Sequence, residues 1–205
     1  MPEDFGLNKE SLEYIVKSCV NLEELDLRCF INQSPDPSLL DYLSDNLTPS
    51  IKKLNLFYAE NYNDDAVCKL VKRCSKLQAL DISGAEITWY GVSAIIDNLN
   101  CLEYLALPEE IGEELYLGNK IDMIKMERLK KLKQLKCMLI NSAHYLNYKE
   151  ILTKEMPQLI KSNWDDFRIA TIDDARQKQV EFLPTNYRHW WSSFWFNMMN
   201  IFQLQ

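Results

Sequence analysis

Cysteines and histidines are the first residues of this 205-residue chain to test for chemistry, and there are six and two of them. Cys68 and Cys74 lie on one predicted helix at a spacing that matches neither a zinc motif nor a Cys-x-x-Cys redox pair. His144 and His189 each lack a second ligand one helical turn away. The sequence therefore predicts no metal site and no cysteine or histidine nucleophile.

Phosphate-binding loops and acid–base pairs are the next candidates. The five glycines form no G-x-G-x-x-G or Walker loop that could hold a phosphate. Acid pairs such as Asp64–Asp65 and Glu109–Glu110 fall near predicted helix starts or in loops, where the helix dipole and solvation account for them. We therefore expect a protein that is not an enzyme and that needs no cofactor.

The charge and the first residues of the chain narrow its partners and compartment. A formal net charge of -7 disfavours nucleic acid as a partner, because binding phosphates requires a basic face. The opening residues MPEDFGLNKE lack the basic start and the apolar run of a secretory signal. We expect a cytoplasmic or nuclear protein with reduced cysteines.

A repeated L-x-x-L-x-L pattern organises the chain. Its copies are NLEELDL, SIKKLNL, KLQALDI, CLEYLAL and KLKQLKC, and a weaker sixth copy is QLIKSNW. The first apolar residue of each copy, here called the anchor, is Leu22, Ile51, Leu77, Leu102, Leu132 and Leu159 in turn. A period of about 27 residues is typical of a leucine-rich repeat.

The segments between the copies have apolar residues three and four apart, which predicts helices. These cover 9–19, 37–47, 63–74, 88–99, roughly 113–131 and 145–156, with Ser38, Asn63 or Asp64, and Thr88 as candidate N-caps. One strand and one helix per repeat predicts an α/β leucine-rich-repeat solenoid. Its short parallel strands form a concave face and its helices a convex face.

The position three residues before the anchor has a common character in all copies. It holds small or apolar residues, namely Cys19, Thr48, Cys74, Leu99, Leu129 and Met156. We interpret it as a packing position, so Cys74 is expected in the core.

CVNLEELDL and CSKLQALDI, each preceded by a helix, resemble the cysteine-containing subclass of leucine-rich repeats. This subclass is best known from F-box proteins with leucine-rich repeats, the substrate receptors of SCF-type ubiquitin ligases. The likeness extends over about residues 8–165, although only two copies keep the cysteine and no F-box precedes Leu12.

The resemblance implies a protein-protein interaction module that recognises substrates in an SCF-type ubiquitin ligase context. Ligase components would be partners only if an F-box exists elsewhere. The alternative is a free-standing leucine-rich-repeat scaffold or inhibitor that is not linked to ubiquitination.

Strand alternation defines the predicted binding surface without reference to any family. Residues two, four and six after each anchor point away from the core. The partner-binding face predicted in this way consists of Glu24, Asp26, Arg28, Lys53, Asn55, Phe57, Asp81, Ser83, Tyr104, Gln134 and Lys136, beside Ala79, Ala106, Pro108 and Met138. Phe57 and Tyr104 are expected to be exposed, as aromatic residues at protein-binding hot spots are. The alternative is that they only cover neighbouring strands.

The C-terminal residues depart from the repeat. We predict a leucine-rich-repeat domain over 1–170 and a helical, aromatic-rich extension over 171–205. We expect residues 186–202 to form a helix whose apolar stripe could cover the last repeat, dock to a partner or lie on a membrane surface. Membrane contact is the least favoured of these uses, because Arg188 is the one basic residue in the segment.

Overall fold

The computed structural model describes residues 9–27, 38–57, 59–117, 120–140, 152 and 154–159. The chain divides into two compact units, Met1–Leu159 and Ile160–Gln205. The second unit, and with it the predicted extension over 171–205, lies outside the described residues. His144, His189 and Arg28 also lie outside them, so the predictions for these residues remain untested.

Five short strands form one parallel sheet in the first unit. They are β1 (Glu24–Asp26), β2 (Lys53–Asn55), β3 (Ala79–Asp81), β4 (Tyr104–Leu107) and β7 (Cys137–Ile140), in the spatial order β1-β2-β3-β4-β7. Consecutive repeats therefore place consecutive strands side by side. The central positions of β1 to β4 are leucines at matching register, and each is buried.

The helices form a second layer. They are α1 (Lys9–Ser18), α2 (Ser38–Asn46), α3 (Asp64–Arg73), α4 (Trp89–Asn98), α5 (Glu109–Leu115) and α6 (Met123–Leu129). Each of α1 to α3 contacts the next helix, and α4 contacts α6. Asn63 and Thr88 are the N-caps of α3 and α4, as predicted, because their side chains accept backbone amides of the first turn.

The residue three positions before the anchor accepts a backbone hydrogen bond in each repeat. The anchor amide donates a hydrogen bond to the carbonyl of the residue three positions earlier. The pairs are Leu22 with Cys19, Ile51 with Thr48, Leu77 with Cys74, Leu102 with Leu99, Leu135 with Leu132, and Leu159 with Met156. Leu132 donates the same bond to the Leu129 carbonyl, so this bond does not identify the fifth anchor. The register of the sheet, in which Cys137 lies opposite Tyr104, identifies it as Leu135.

The predicted anchor of the fifth repeat, Leu132, is thus wrong by three residues. The Glu103 carbonyl accepts the amides of Lys136 at 2.8 Å and Cys137 at 3.0 Å, and Cys137 lies opposite Tyr104 in the sheet. The error arose because the leucines of KLKQLKC fit the pattern by themselves. Leu135, Met138 and Ile140 fit it as well, and they form the pattern that the sheet uses.

The single helix predicted over 113–131 is also wrong. In its place, α5 is followed by a two-stranded antiparallel hairpin, β5 (Tyr116–Leu117) and β6 (Lys120–Ile121), and then by α6. Asp122 begins α6 as its N-cap and accepts the amides of Ile124 and Lys125. The dipeptide Gly-Asn at 118–119 is a turn signal in the sequence that the helical interpretation overlooked.

The described part of the chain is an α/β leucine-rich-repeat solenoid with an insertion in its fifth repeat. The core lies between sheet and helices, where Leu54, Leu80, Leu105, Leu70 and Ile95 have essentially no exposed surface. Among the described residues, no helix has the length and apolar character needed to cross a membrane.

Candidate functional site

The strand face predicted to bind a partner divides into accessible and buried residues. Glu24, Asp26, Lys53 and Ser83 are half-buried, Gln134 and Lys136 are exposed, and Asn55, Phe57, Asp81 and Tyr104 are buried. Phe57 is 8% exposed and Tyr104 is 2% exposed, so the prediction that they are open aromatic contacts is wrong. Alternation separates the two faces of a strand, but parallel strands are commonly buried on both.

The fifth strand changes the membership of this face. Gln134 and Lys136 precede β7, and Met138, assigned to the face by the wrong anchor, is fully buried at a core position. Cys137 and Leu139 take the places opposite Tyr104 and Ala106 instead. Both are buried, so the end of the face at β7 is more apolar than predicted.

The buried polar residues of this face bind backbone. The Asn55 side-chain oxygen accepts the Phe57 amide at 2.9 Å, and the Asp81 carboxylate accepts the Ser83 amide at 3.1 Å. Hydrogen bonds in which an Asn or Asp side chain accepts from the backbone amide two residues later stabilise turns. Asn55 and Asp81 therefore direct the loops that leave β2 and β3.

The charges at the strand starts are arranged in ion pairs between neighbouring strands. Lys53 pairs with Glu24, Lys52 lies 2.6 Å from Glu23, and Lys136 lies 2.7 Å from Glu103. Exposed pairs of this kind contribute at most about 1 kcal/mol each. A partner that binds here would have to compete with these existing pairs.

A carboxylate links the third and fourth repeats on the helix side. Asp64 accepts the amides of Thr88 and Gly91, both at 2.9 Å, and the Thr88 hydroxyl at 2.7 Å. A carboxylate at free helical amides is favourable because of their orientation and the helix dipole. A Cβ atom on Gly91 would lie 2.5 Å from the same carboxylate. We call such a contact between consecutive repeats a joint, and glycine is the residue that fits at position 91 of this one.

Exposed apolar side chains lie at the starts of α4 and α6. Tyr90 is 66% exposed, Met123 47% and Ile124 79%. The Lys125 ammonium lies 5.1 Å from the centre of the Trp89 ring and 2.9 Å from the Glu114 carboxylate, so the first turn of α6 lies beside that of α4. We call Trp89, Met123 and Ile124 the helix-rim patch. The sequence signal for it was the stretched spacing of the fifth repeat.

An open groove of about 390 Å³ runs across α2, α3 and the start of α4. We call it the helix groove, and it is lined by Asp41, Asn63, Asp65, Cys68, Lys69, Lys72 and Tyr90. Its mixed charges and its shallow, open form differ from the enclosed apolar pockets that hold small molecules.

The thiols near this surface are protonated at neutral pH. Burial raises the pKa of the Cys68 thiol, and it raises that of Cys74 to about 11. Cys74 is fully buried and donates a weak hydrogen bond to the Thr48 carbonyl at 3.7 Å. It is therefore a packing residue, as its repeat position predicted. In the described ranges, no three His, Cys, Asp or Glu side chains form a group that could hold a metal ion.

Comparison with known proteins finds likeness at the level of fold. No protein-family model and no curated protein matches the chain. A solved structure described as leiomodin-1 actin-binding site 2 has a TM-score of 0.53 at 16% identity, covering 84% of this chain and 93% of the other. A tropomodulin C-terminal domain from Caenorhabditis elegans has a TM-score of 0.53 at 13% identity, covering 74% and 93%. At such identities the likeness shows the fold alone.

Proposed function

We propose that this chain binds another protein through the helix-rim patch and that it is not an enzyme. The observation that carries the proposal is the exposure of Met123 and Ile124 at the start of α6, where Lys125 of the same turn lies over Trp89 of α4. Aromatic residues and methionine are enriched in protein interfaces and their hot spots.

The insertion in the fifth repeat supports the same surface. Insertions in repeat proteins extend one face, which is often the binding face. Here the hairpin β5–β6 leads directly into Met123 and Ile124, so the segment that departs from the repeat also supplies two of the exposed apolar side chains.

The finer proposal concerns the kind of partner. The cysteine-containing pattern at Cys19 and Cys74 supports substrate recognition in an SCF-type ubiquitin ligase, with the bound protein as the substrate. A free-standing scaffold or inhibitor uses the same surface without the ligase. The two differ in whether the ligase adaptor copurifies with the chain or with a longer protein that contains it.

Actin is a second candidate partner, because the leiomodin-1 fragment of similar fold is described as an actin-binding site. The support is the shared fold, and the contacts of that fragment are not transferred to this chain. Cosedimentation with actin filaments and titration of labelled actin monomers test this candidate directly.

The central experiment compares two variants of the chain by affinity purification and quantitative mass spectrometry. The test variant is Met123→Ser/Ile124→Ser, which removes apolar area from the patch. The control is Val20→Ser, which changes an equally exposed apolar residue after α1. We expect a bound protein to be depleted at least tenfold by the test variant and unchanged by the control, a loss of about 1.4 kcal/mol or more.

Two further arms separate the alternatives. Glu24→Ala/Lys53→Ala tests the strand face, and loss of the partner there instead of at the patch would transfer the binding site to the predicted surface. Purified ligase adaptor is titrated against the chain alone and against any longer form found in cells. Retention of every partner by all variants would contradict the proposed surface.

A further inference from the structure

The helix groove contains two exposed charges of opposite sign on α3. Asp65 and Lys72 are seven residues apart, so they lie on the same side of the helix about 10 Å from each other. Neither side chain forms an ion pair within the described part of the chain, whose ion pairs involve other residues. Both charges are therefore available to a bound molecule.

The residues between these charges reduce any repulsion at the centre of the groove. The Lys69 ammonium lies 3.6 Å from the Asp45 carboxylate and 3.9 Å from that of Asp41. Cys68 is half-buried, and its raised pKa keeps it uncharged at neutral pH. The lining of the groove has two carboxylates, Asp41 and Asp65, and two ammonium groups, Lys69 and Lys72, with Asp65 at one end of α3 and Lys72 at the other.

A helix that fits this charge pattern has defined properties. It places a cation opposite Asp65 and an anion opposite Lys72, two turns apart, with uncharged or locally balanced side chains between them. Complementary charges of this kind set the register of an interface and exclude wrong partners. An α3 helix turned end to end has this pattern, because it carries Asp65, Cys68, Lys69 and Lys72 in the reverse order.

We propose that the helix groove is a two-fold interface between two copies of this chain. In it, α3 lies antiparallel to α3 of the second copy, so that Asp65 faces the partner's Lys72 and Lys72 faces the partner's Asp65. An interface of this type uses one surface twice, which is the commonest symmetry of soluble oligomers. Tyr90 lines the same groove and adds apolar area to the contact.

Charge reversal with exchange of partners tests the interface on the full chain. Asp65→Lys and Lys72→Asp are each measured by sedimentation equilibrium over a wide range of concentration. Either change places like charges opposite each other twice, so we expect the dimer dissociation constant to rise at least tenfold. An equimolar mixture of the two variants restores attraction at both contacts and should recover a heterodimer. The double variant Asp65→Lys/Lys72→Asp should likewise recover a homodimer.

Two matched controls exclude a general effect of charge or of folding. Glu60→Lys and Lys76→Asp make the same changes of charge at exposed positions outside the groove. They should leave the dissociation constant unchanged, and far-ultraviolet circular dichroism should show native helix in every variant. A chain that is monomeric at all concentrations overturns the proposal and leaves the groove to a different protein. A dimer that ignores both reversals, or a mixture that stays monomeric, overturns it as well.

Discussion

Two joints between repeats are built in different ways. From the third to the fourth repeat the anchors Leu77 and Leu102 are 25 residues apart, and Asp64 binds backbone amides at the start of α4. From the fourth to the fifth repeat the anchors are 33 residues apart. There, Asp97 on α4 pairs with Arg128 at 3.0 Å and with Lys131 at 3.8 Å.

The difference shows which joint tolerates an insertion. Hydrogen bonds to the amides of Thr88 and Gly91 require a fixed position of the next helix, so that joint has little room for variation. Exposed ion pairs between long side chains accept a range of geometries and contribute little. The second joint therefore accommodates the hairpin β5–β6, and the exposed apolar residues of the helix-rim patch follow from it.

The largest expected effect tests the frame of the stretched repeat. Met138 is fully buried, so Met138→Ala should destabilise the domain by about 2–5 kcal/mol in urea unfolding, through lost transfer free energy and a residual cavity. The matched change Lys136→Ala removes an exposed ion pair and should cost less than about 1 kcal/mol.

The two candidate anchors of the fifth repeat, Leu132 and Leu135, make opposite predictions for the relative cost of Met138→Ala and Lys136→Ala. With Leu132 as the anchor, Met138 would lie on the strand face and its truncation would be mild. A cost for Met138→Ala no larger than that of Lys136→Ala would therefore restore the frame predicted from the sequence.

The regular joint can be tested with a double-mutant cycle. Gly91→Ala brings a Cβ atom to 2.5 Å from the Asp64 carboxylate, and overpacking of this kind costs about 1–3 kcal/mol. In an Asp64→Ala background the clash is gone, and the higher helix propensity of alanine should stabilise α4 by up to about 1 kcal/mol. The sign of the Gly91→Ala effect on unfolding free energy should therefore reverse.

Asp64→Ala by itself should cost about 1–2 kcal/mol, because it removes the acceptor of two amides and a hydroxyl. If Gly91→Ala has the same effect in both backgrounds, the close approach of Asp64 does not constrain the joint. The regular and the stretched joints would then not differ in the way proposed.

Cys74→Ala tests packing between the second and third repeats. It should lower the free energy of unfolding by about 1–2 kcal/mol at neutral pH. Burial raises the pKa of the Cys74 thiol from its ordinary value of 9.0 to about 11. The folded state therefore keeps the thiol protonated at a pH where the unfolded chain loses the proton. The stabilisation by the buried thiol should be complete below pH 9 and decline as the pH rises toward 11. The difference in unfolding free energy between the unaltered chain and Cys74→Ala should therefore shrink over that range.

Unfolding free energies of the two proteins across this range provide the measurement. Cys19 serves as the control, because it occupies the same repeat position but is exposed, and Cys19→Ala should show no deficit at any pH. A constant deficit for Cys74→Ala would mean that the thiol is not held in its protonated form by burial.

The sequence predicted the regular repeats well because their evidence is local. Leucine spacing indicates each buried strand, and the polar residues Asn63 and Thr88 indicate helix starts. The fifth repeat failed because two leucine frames compete within KLKQLKCMLI, and hydrogen bonds to the neighbouring strand decide between them. The helix-rim patch was missed for a related reason, since the contact of α4 with α6 across the insertion is not local.

The smallest expected effect tests whether the two joints differ in how far their stability depends on ion pairs. Asp97→Asn should cost about 0.5 kcal/mol or less, because its partners are accessible to water and counterions. Added salt should remove that cost, since exposed charges are screened within a few ångströms at high ionic strength. The cost of Asp64→Ala should persist in the same salt, because its hydrogen-bond partners are uncharged amides and a hydroxyl. Equal salt dependence of the two variants, measured by urea unfolding, would show that both joints depend on charge alone.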